Sequence, residues 1–427
     1  MRATILIYVS FLLLPLEDFP FEKYGIWSNH SVSLLFMLLF FIINIDKIRI
    51  RRKNMKLIGL FAIAFFISFL FGVFKYNADF MGCLKELNSM ITFIPYTLGM
   101  YLFYRNSSYL QKKRLISATV IGYIGMFSVG ILQLLSNVMG SNALNDIWGY
   151  LIEDPRWLVE EGRLQFTLSE PSYFTYHFFC IILPLKKLVS DNYKKMYNIF
   201  LIMYSILGLF TFSSLYYLCL IIYIVTKIFD NKENNIKKYL GICTIIICIV
   251  AVFIMLDSHL LKLTGNVYLI RFDDLYHRIA QNQFSFDNIG GDMSLSTRTT
   301  LLAIGILGFL RHPILGYGFG YGLEAYKDLI STVNPWWSKN SELMAMYSQR
   351  DYIFLGGIYT NLLCGAGIIG LIIIFYLCKD IVGSKFVNNS EKITFFILML
   401  QTNLIGIIPA MIYWEYIRII TDFNSVE

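Results

Sequence analysis

Lys47-Ile48-Arg49-Ile50-Arg51-Arg52-Lys53 stands between two apolar runs, one starting near Ser31 and the next near Leu57. Lys and Arg in short loops stay cytoplasmic, so a dense cationic stretch between two runs of near-spanning length reads as a loop joining transmembrane helices. Outward from it the pattern repeats. Every second connection is basic: Arg105/Lys112/Lys113/Arg114, Lys186/Lys187/Lys194/Lys195, Lys227/Lys232/Lys237/Lys238 and Lys379/Lys385/Lys392. Apolar runs start near Thr4, Ser31, Leu57, Ser89, Leu115, Tyr173, Asn198, Leu215, Tyr239, Phe354 and Thr394, which predicts about 11 spans. The alternation puts the N-terminus in the cytoplasm and, with an odd count, the C-terminus outside. The seventh and eighth runs are short and share a tight turn near Ser213-Ser214. Residues 4–16 with Arg2 ahead look like a signal peptide, but Leu16-Glu17-Asp18-Phe19-Pro20 lacks a small-residue cleavage site, so they read as the first span.

Composition agrees. Of 427 residues 56% are hydrophobic and only 15% charged, whereas a soluble domain carries about a quarter charged residues. The net charge of +7 is spread over short loops, with no basic domain or stripe for nucleic acid. Seven cysteines form no CxxC; all except Cys83 lie in or beside apolar runs and read as small core hydrophobes. The expected fold is an all-α polytopic membrane protein, one integral-membrane domain over residues 1–427.

Two outside loops are long, 137–171 and 258–353, and loops of that length are usually functional. The first ends in Arg163 and then Ser169-Glu170-Pro171-Ser172-Tyr173, running into the sixth span. Pro171 suits a first helical position, and Ser169 or Glu170 can cap it. Helical spacing also sets Glu170, Phe174 and His177 on one face, with the histidine about 10 Å deeper. A rim carboxylate above an imidazole suits a polar cavity opening outward, since ionisable groups at membrane depth face a cavity or a partner. A histidine bonded to a neighbouring carbonyl is the plainer reading.

In the larger loop, Asp274 and Arg278 have the i,i+4 spacing of an exposed helical pair. Arg298 then precedes a mostly apolar run, Thr299–Leu310, too short to span and expected to lie along the outer interface, closed by Arg311-His312-Pro313. The arginines at its ends would sit at the level of lipid phosphates. Gly316-Tyr-Gly318-Phe-Gly320-Tyr-Gly322 strips side chains from one face, admitting a backbone or a ligand. It is not the GxGxxG dinucleotide fingerprint, and Ile314-Leu315 replaces the Thr-Val of a potassium filter. No metal or nucleotide motif occurs, and no cofactor is expected.

Arg163 with Ser169-Glu170-Pro171-Ser172 at the mouth of a span resembles the Wzy-type O-antigen and capsular polysaccharide polymerases. So does Arg298, an apolar run, then His312-Pro313-Ile-Leu-Gly316-Tyr-Gly318. Gly365-Ala-Gly367-Ile-Ile-Gly370 resembles the closing part of a signature that O-antigen ligases share. The resemblance covers about 155–375 and implies a metal-independent, GT-C-like glycosyltransferase of the bacterial inner membrane, multi-pass, with both long loops periplasmic. It would polymerise undecaprenyl-pyrophosphate-linked repeats beside a chain-length co-polymerase, taking no part in nucleic-acid binding. Ligases carry a His-Asn shortly before the last glycine motif, whereas Leu355-Gly356-Gly357-Ile358-Tyr359 has no histidine. That departure disfavours a ligase, which stays an alternative, as does a flippase or other transporter.

The resemblance and the chemistry together nominate Arg163 and Arg298 as diphosphate contacts, with Arg311, His312, Tyr173, Gly316 and Gly318 around the substrate. Glu170 is the expected proton acceptor or sugar-orienting group, His177 its neighbour and Asp351 the next carboxylate in line. A salt bridge from Arg163 to Glu160 or Glu161 is the alternative for that arginine.

Overall fold

A computed structural model describes residues 2–19, 31–47, 52–71, 74–75, 84, 94–139, 147–148, 150, 152–155, 158, 162–230, 293–348, 353–401 and 407–424. Among these residues every regular element is a helix. The first five are α1 (Arg2–Leu12), α2 (Val32–Ile43), α3 (Arg52–Phe71), α4 (Ile94–Asn106) and α5 (Tyr109–Met139). After a compound helix at 171–185 come α6 (Asp191–Leu209), α7 (Ser214–Asp230) and α8 (Met293–Arg311). The chain continues through α9 (Gly322–Val333), α10 (Ser341–Ser348), α11 (Ile358–Val382), α12 (Asn389–Gln401) and α13 (Ile407–Asn424). The ninth expected span and the Asp274–Arg278 pair lie outside the described residues.

Two of these helices, over Tyr109–Asn137 and Ile358–Val382, are long and apolar enough by themselves to cross a membrane. Others are shorter than the runs suggest; α2 has 12 residues. The bundle wears its apolar side chains outside as well as inside. On α6 and α7, Tyr204, Leu207, Leu215, Tyr216 and Cys219 are buried while Ile199, Ile202, Ile206, Leu218 and Ile221 are exposed. Exposed stripes of that kind are rare on soluble monomers and mark a surface made for lipid or a partner.

The main core holds a file of stacked rings. Phe166 stacks on Phe174 at 4.8 Å and Phe174 on Tyr204 at 5.3 Å. Glycines make the room: a Cβ on Gly130 would meet Phe166 at 2.2 Å and one on Gly208 would meet Phe174 at 2.4 Å. A second, smaller core joins α8, α9 and α10 through Ile304, Tyr326, Leu329 and Leu343. The turn of 210–213 connects α6 to α7, with Phe212 left-handed at φ 48°.

One end of the bundle gathers the basic connections. Thr4, Lys47, Arg105 and Gln111 line a common cavity there. Lys187 pairs with Glu391, and Asp230 at the foot of α7 accepts from Ser390 N (3.3 Å), supplying an acceptor to the otherwise unpaired first turn of α12. Helices α12 and α13 are antiparallel. Tyr413 hydroxyl reaches Glu391 Oε2 at 3.4 Å, and five residues further on Arg418 Nε meets Asp380 Oδ2 at 3.0 Å, at the foot of α11. The expected single span from Thr394 is therefore corrected to two helices, and the chain returns to the end where α12 began.

Candidate active site

The segment that carries Glu170 is locked from below. Gln133 on α5 accepts from Phe166 N and donates to Phe166 O, both at 2.7 Å, which holds Phe166 in its left-handed conformation, φ 60°. Thr167 O accepts from Glu17 N (3.1 Å) and Asp18 N (3.2 Å). The compound helix then starts as a 3-10 turn, Pro171–Tyr173, becomes α over Phe174–His177 and π over Phe178–Ile182. A π segment inside a helix often accompanies a functional site.

Glu170 stands at the N-cap of this helix but makes no side-chain cap bond. Its Oε1 instead accepts from Ser172 Oγ at 2.7 Å and from Arg298 Nη2 at 2.9 Å. Both charged side chains are partly exposed, 37% for Arg298 and 23% for Glu170, because they border a cavity of about 290 Å³. Tyr173, Ser172, Gly356 and Glu342 also line it. That volume is near the lower end of the roughly 300–1,000 Å³ of small-molecule sites. A charge-assisted pair facing water is held loosely enough to be exchanged for a ligand anion. Arg298 is positioned through its neighbours: Asn340 Nδ2 donates to Thr297 Oγ1 (3.4 Å) and Asn334 Nδ2 to Thr300 Oγ1 (3.2 Å).

The other nominated residues are elsewhere. His177 is fully buried, its Nδ1 sharing a 2.6 Å hydrogen bond with the Tyr123 hydroxyl. Glu17 Oε1 is 2.9 Å from its Nε2, within ion-pair reach although off the line of a straight hydrogen bond. Arg163, 9% exposed, donates from Nε to Thr211 O (2.9 Å) and from Nη2 to Phe212 O (3.4 Å), satisfying the carbonyls of the α6–α7 turn. Glu160, Glu161 and Asp351 lie outside the described residues.

Arg311 and His312 form a second cluster. Arg311 Nη1 pairs with Asp328 Oδ2 at 3.1 Å, the Tyr317 hydroxyl bonds the same oxygen, and the His312 ring meets Tyr317 edge-on at 4.7 Å. Partial burial holds His312 below the usual imidazole range, helped by Lys75 and Arg311 and opposed by Asp328. The glycine run admits backbone. Tyr317 N donates to Cys364 O (2.7 Å) and Gly318 N to Gly365 O (2.9 Å), while Gly316 N is bonded to His312 O (2.9 Å). Gly316 (φ 69°) and Gly367 (φ 55°) are the left-handed hinges of this interlock, and the latter breaks the regular path of α11. The backbone amides of Gly316 and Gly318 are thus already engaged.

Glu342 and Glu17 were missed in the sequence. Glu342 sits among polar loop residues with nothing to single it out, whereas Glu17 had a signal, an acid directly following an apolar run. Among the described residues no three His, Cys, Asp or Glu side chains group to hold a metal ion.

Residues 199–375 match the family described as O-antigen ligase, a stretch that includes Arg298, the glycine run and the break at Gly367. This match places residues 199–375 in the O-antigen ligase/polymerase superfamily. Its members are membrane enzymes of glycan assembly. The arrangement here gives the chain one cavity holding a cation and two carboxylates, which can neutralise an anionic leaving group and accept a proton. No curated protein and no solved structure matches the chain.

Proposed function

We propose that this protein is a polysaccharide polymerase that joins undecaprenyl-pyrophosphate-linked oligosaccharide repeats at the periplasmic face of the bacterial inner membrane. The observation that carries the reading is the cavity in which Arg298 and Glu170 meet. The donor diphosphate takes Arg298 away from Glu170, exchanging one oxyanion for another on the same guanidinium. The freed carboxylate accepts the proton of the acceptor sugar hydroxyl as its oxygen bonds to the donor's anomeric carbon. The anomeric carbon–oxygen bond to diphosphate breaks, and the departing charge stays on undecaprenyl pyrophosphate beside Arg298. Glu342, across the same cavity, orients the acceptor.

Purified protein given single lipid-linked repeats, with and without lipid A core, tests this. A ladder of longer glycans on one lipid supports the polymerase. Transfer to lipid A core identifies a ligase, the reading favoured by the description of the matched family; unchanged glycolipid favours transport. Against the ligase stands residues 355–359, where Gly356 lines the cavity and no histidine occurs.

The proposed topology is polytopic and GT-C-like, with the basic end in the cytoplasm. Both termini then face inward, because α13 returns to the foot of α11. Reporter fusions should read cytoplasmic after Lys238 and at the C-terminus, and periplasmic after Asn340. An external C-terminal fusion would overturn the even count.

A further inference from the structure

We propose that the cavity at the basic end of the bundle binds a phosphate group, the headgroup of an anionic membrane lipid. This cavity, about 530 Å³, forms where the ends of α1, α2, α4 and α5 converge. It plays no part in the proposed chemistry, which occupies the opposite end. Lys47 and Arg105 border it, exposed, and neither side chain makes an ion pair or hydrogen bond to any described residue. Two cations on one cavity against a single acid, Asp46, leave a positive potential that an anion relieves.

Neutral donors complete the set. Asn106 lines the cavity, and Gln111 uses its Oε1 to accept from Ser108 N at 2.8 Å, so its amide N–H groups remain to donate. A guanidinium and an ammonium flanked by amides suit a phosphate, which the arginine can grip through two N–H groups at once. The sequence adds Arg49, Arg51, Arg52 and Lys53 directly after Lys47, raising the local cation density. A lipid fits better than a soluble phosphate because Phe40, Leu102 and Phe103 give part of the wall, shared with Thr4, Asn44 and Ser107, an apolar surface beside the cations. Basic pockets between transmembrane helices on the cytoplasmic side bind anionic headgroups in this way.

The test uses the full chain, purified and delipidated in detergent, with lipid retention read by native mass spectrometry. Phosphatidylglycerol, phosphatidylcholine and glycerol phosphate are offered in turn to wild type and to the Lys47→Gln/Arg105→Gln double variant. Wild type should retain phosphatidylglycerol about tenfold better than the double variant, with phosphatidylcholine indifferent to the substitutions. Charge-dependent binding of glycerol phosphate as tight as that of the lipid would keep the phosphate site and overturn its lipid source. Equal phosphatidylglycerol retention by both proteins would overturn the site altogether. Arg105→Lys, which keeps the charge, should retain most of the lipid, and an unchanged thermal midpoint without lipid shows that the double variant folds. Polymer formation is not needed for any of these readings, so they stand or fall apart from the proposed enzyme activity.

Discussion

Glu170 and His177 lie seven residues apart on one compound helix, yet their surroundings are opposite. Glu170 opens onto a cavity and shares its charge with Arg298, a residue 128 positions away in sequence. His177 is sealed between Tyr123 and Glu17, which ties the segment after α1 to the bundle interior. Helical spacing gives both side chains the same heading, but the neighbours decide what each does. A partly hydrated ion pair can be traded for substrate, whereas a buried polar contact fixes structure, since losing either partner strands a polar group away from water.

The largest expected effect breaks or upholds the rim half of this contrast. Glu170→Gln removes the proton acceptor while keeping the shape, and should reduce polymer formation by roughly 10²–10⁴-fold at equal protein level. Glu170→Asn should fail equally, because the side chain makes no cap bond that asparagine could replace. Normal ladders from either variant would reduce Glu170 to a partner of Arg298.

The interior half predicts a different symptom. His177→Ala leaves the Tyr123 hydroxyl and Glu17 buried without their partner and should cost about 1–3 kcal/mol of stability, seen as a lower thermal midpoint and yield. Activity per folded molecule should hold. An unchanged midpoint with lost turnover would move His177 into the chemistry and erase the contrast.

Arg163 sharpens the comparison from a third place. Arg163→Ala strips the carbonyls of Thr211 and Phe212 of a donor, a loss of about 1–3 kcal/mol, so any fall in activity should track the fall in midpoint. Activity lost by Arg163→Lys at an unchanged midpoint would return this residue to the diphosphate. Smallest of all, Arg311→Gln breaks an exposed pair with Asp328 and should change stability by no more than about 1 kcal/mol.

Much of this was legible from residue order. The apolar runs and basic connections specify a helical bundle with one basic end, and Pro171 with its acidic neighbour marks a helix start at the rim. Long-range choices were not legible. Nothing near Arg298 names Glu170 as its partner, and Glu342 acquires meaning only once α10 packs beside α8. The C-terminal run misled because Leu398 to Tyr413 is apolar enough to read through, although Asn403, Gly406 and Pro409 are the residues that punctuate a chain. Alternating glycines told of close approach without saying whether a ligand or a backbone would approach, and the answer lay 47 residues on, at Cys364 and Gly365.

That interlock also governs how the sequence can drift. Gly162 and Gly316 have nearly the same left-handed backbone, φ 67° and 69°, but no described residue lies within 4 Å of a Cβ on Gly162, while one on Gly316 would meet Cys364 O at 2.4 Å. Asparagine tolerates that conformation, so position 162 is open to it in a lineage. Position 316 is closed unless the backbone of α11 retreats, and a Cβ at Gly367 would in turn meet Ile314 O at 2.6 Å. Neither half of the clasp can vary before the other, and inherited change should be trapped there while the surrounding loop wanders.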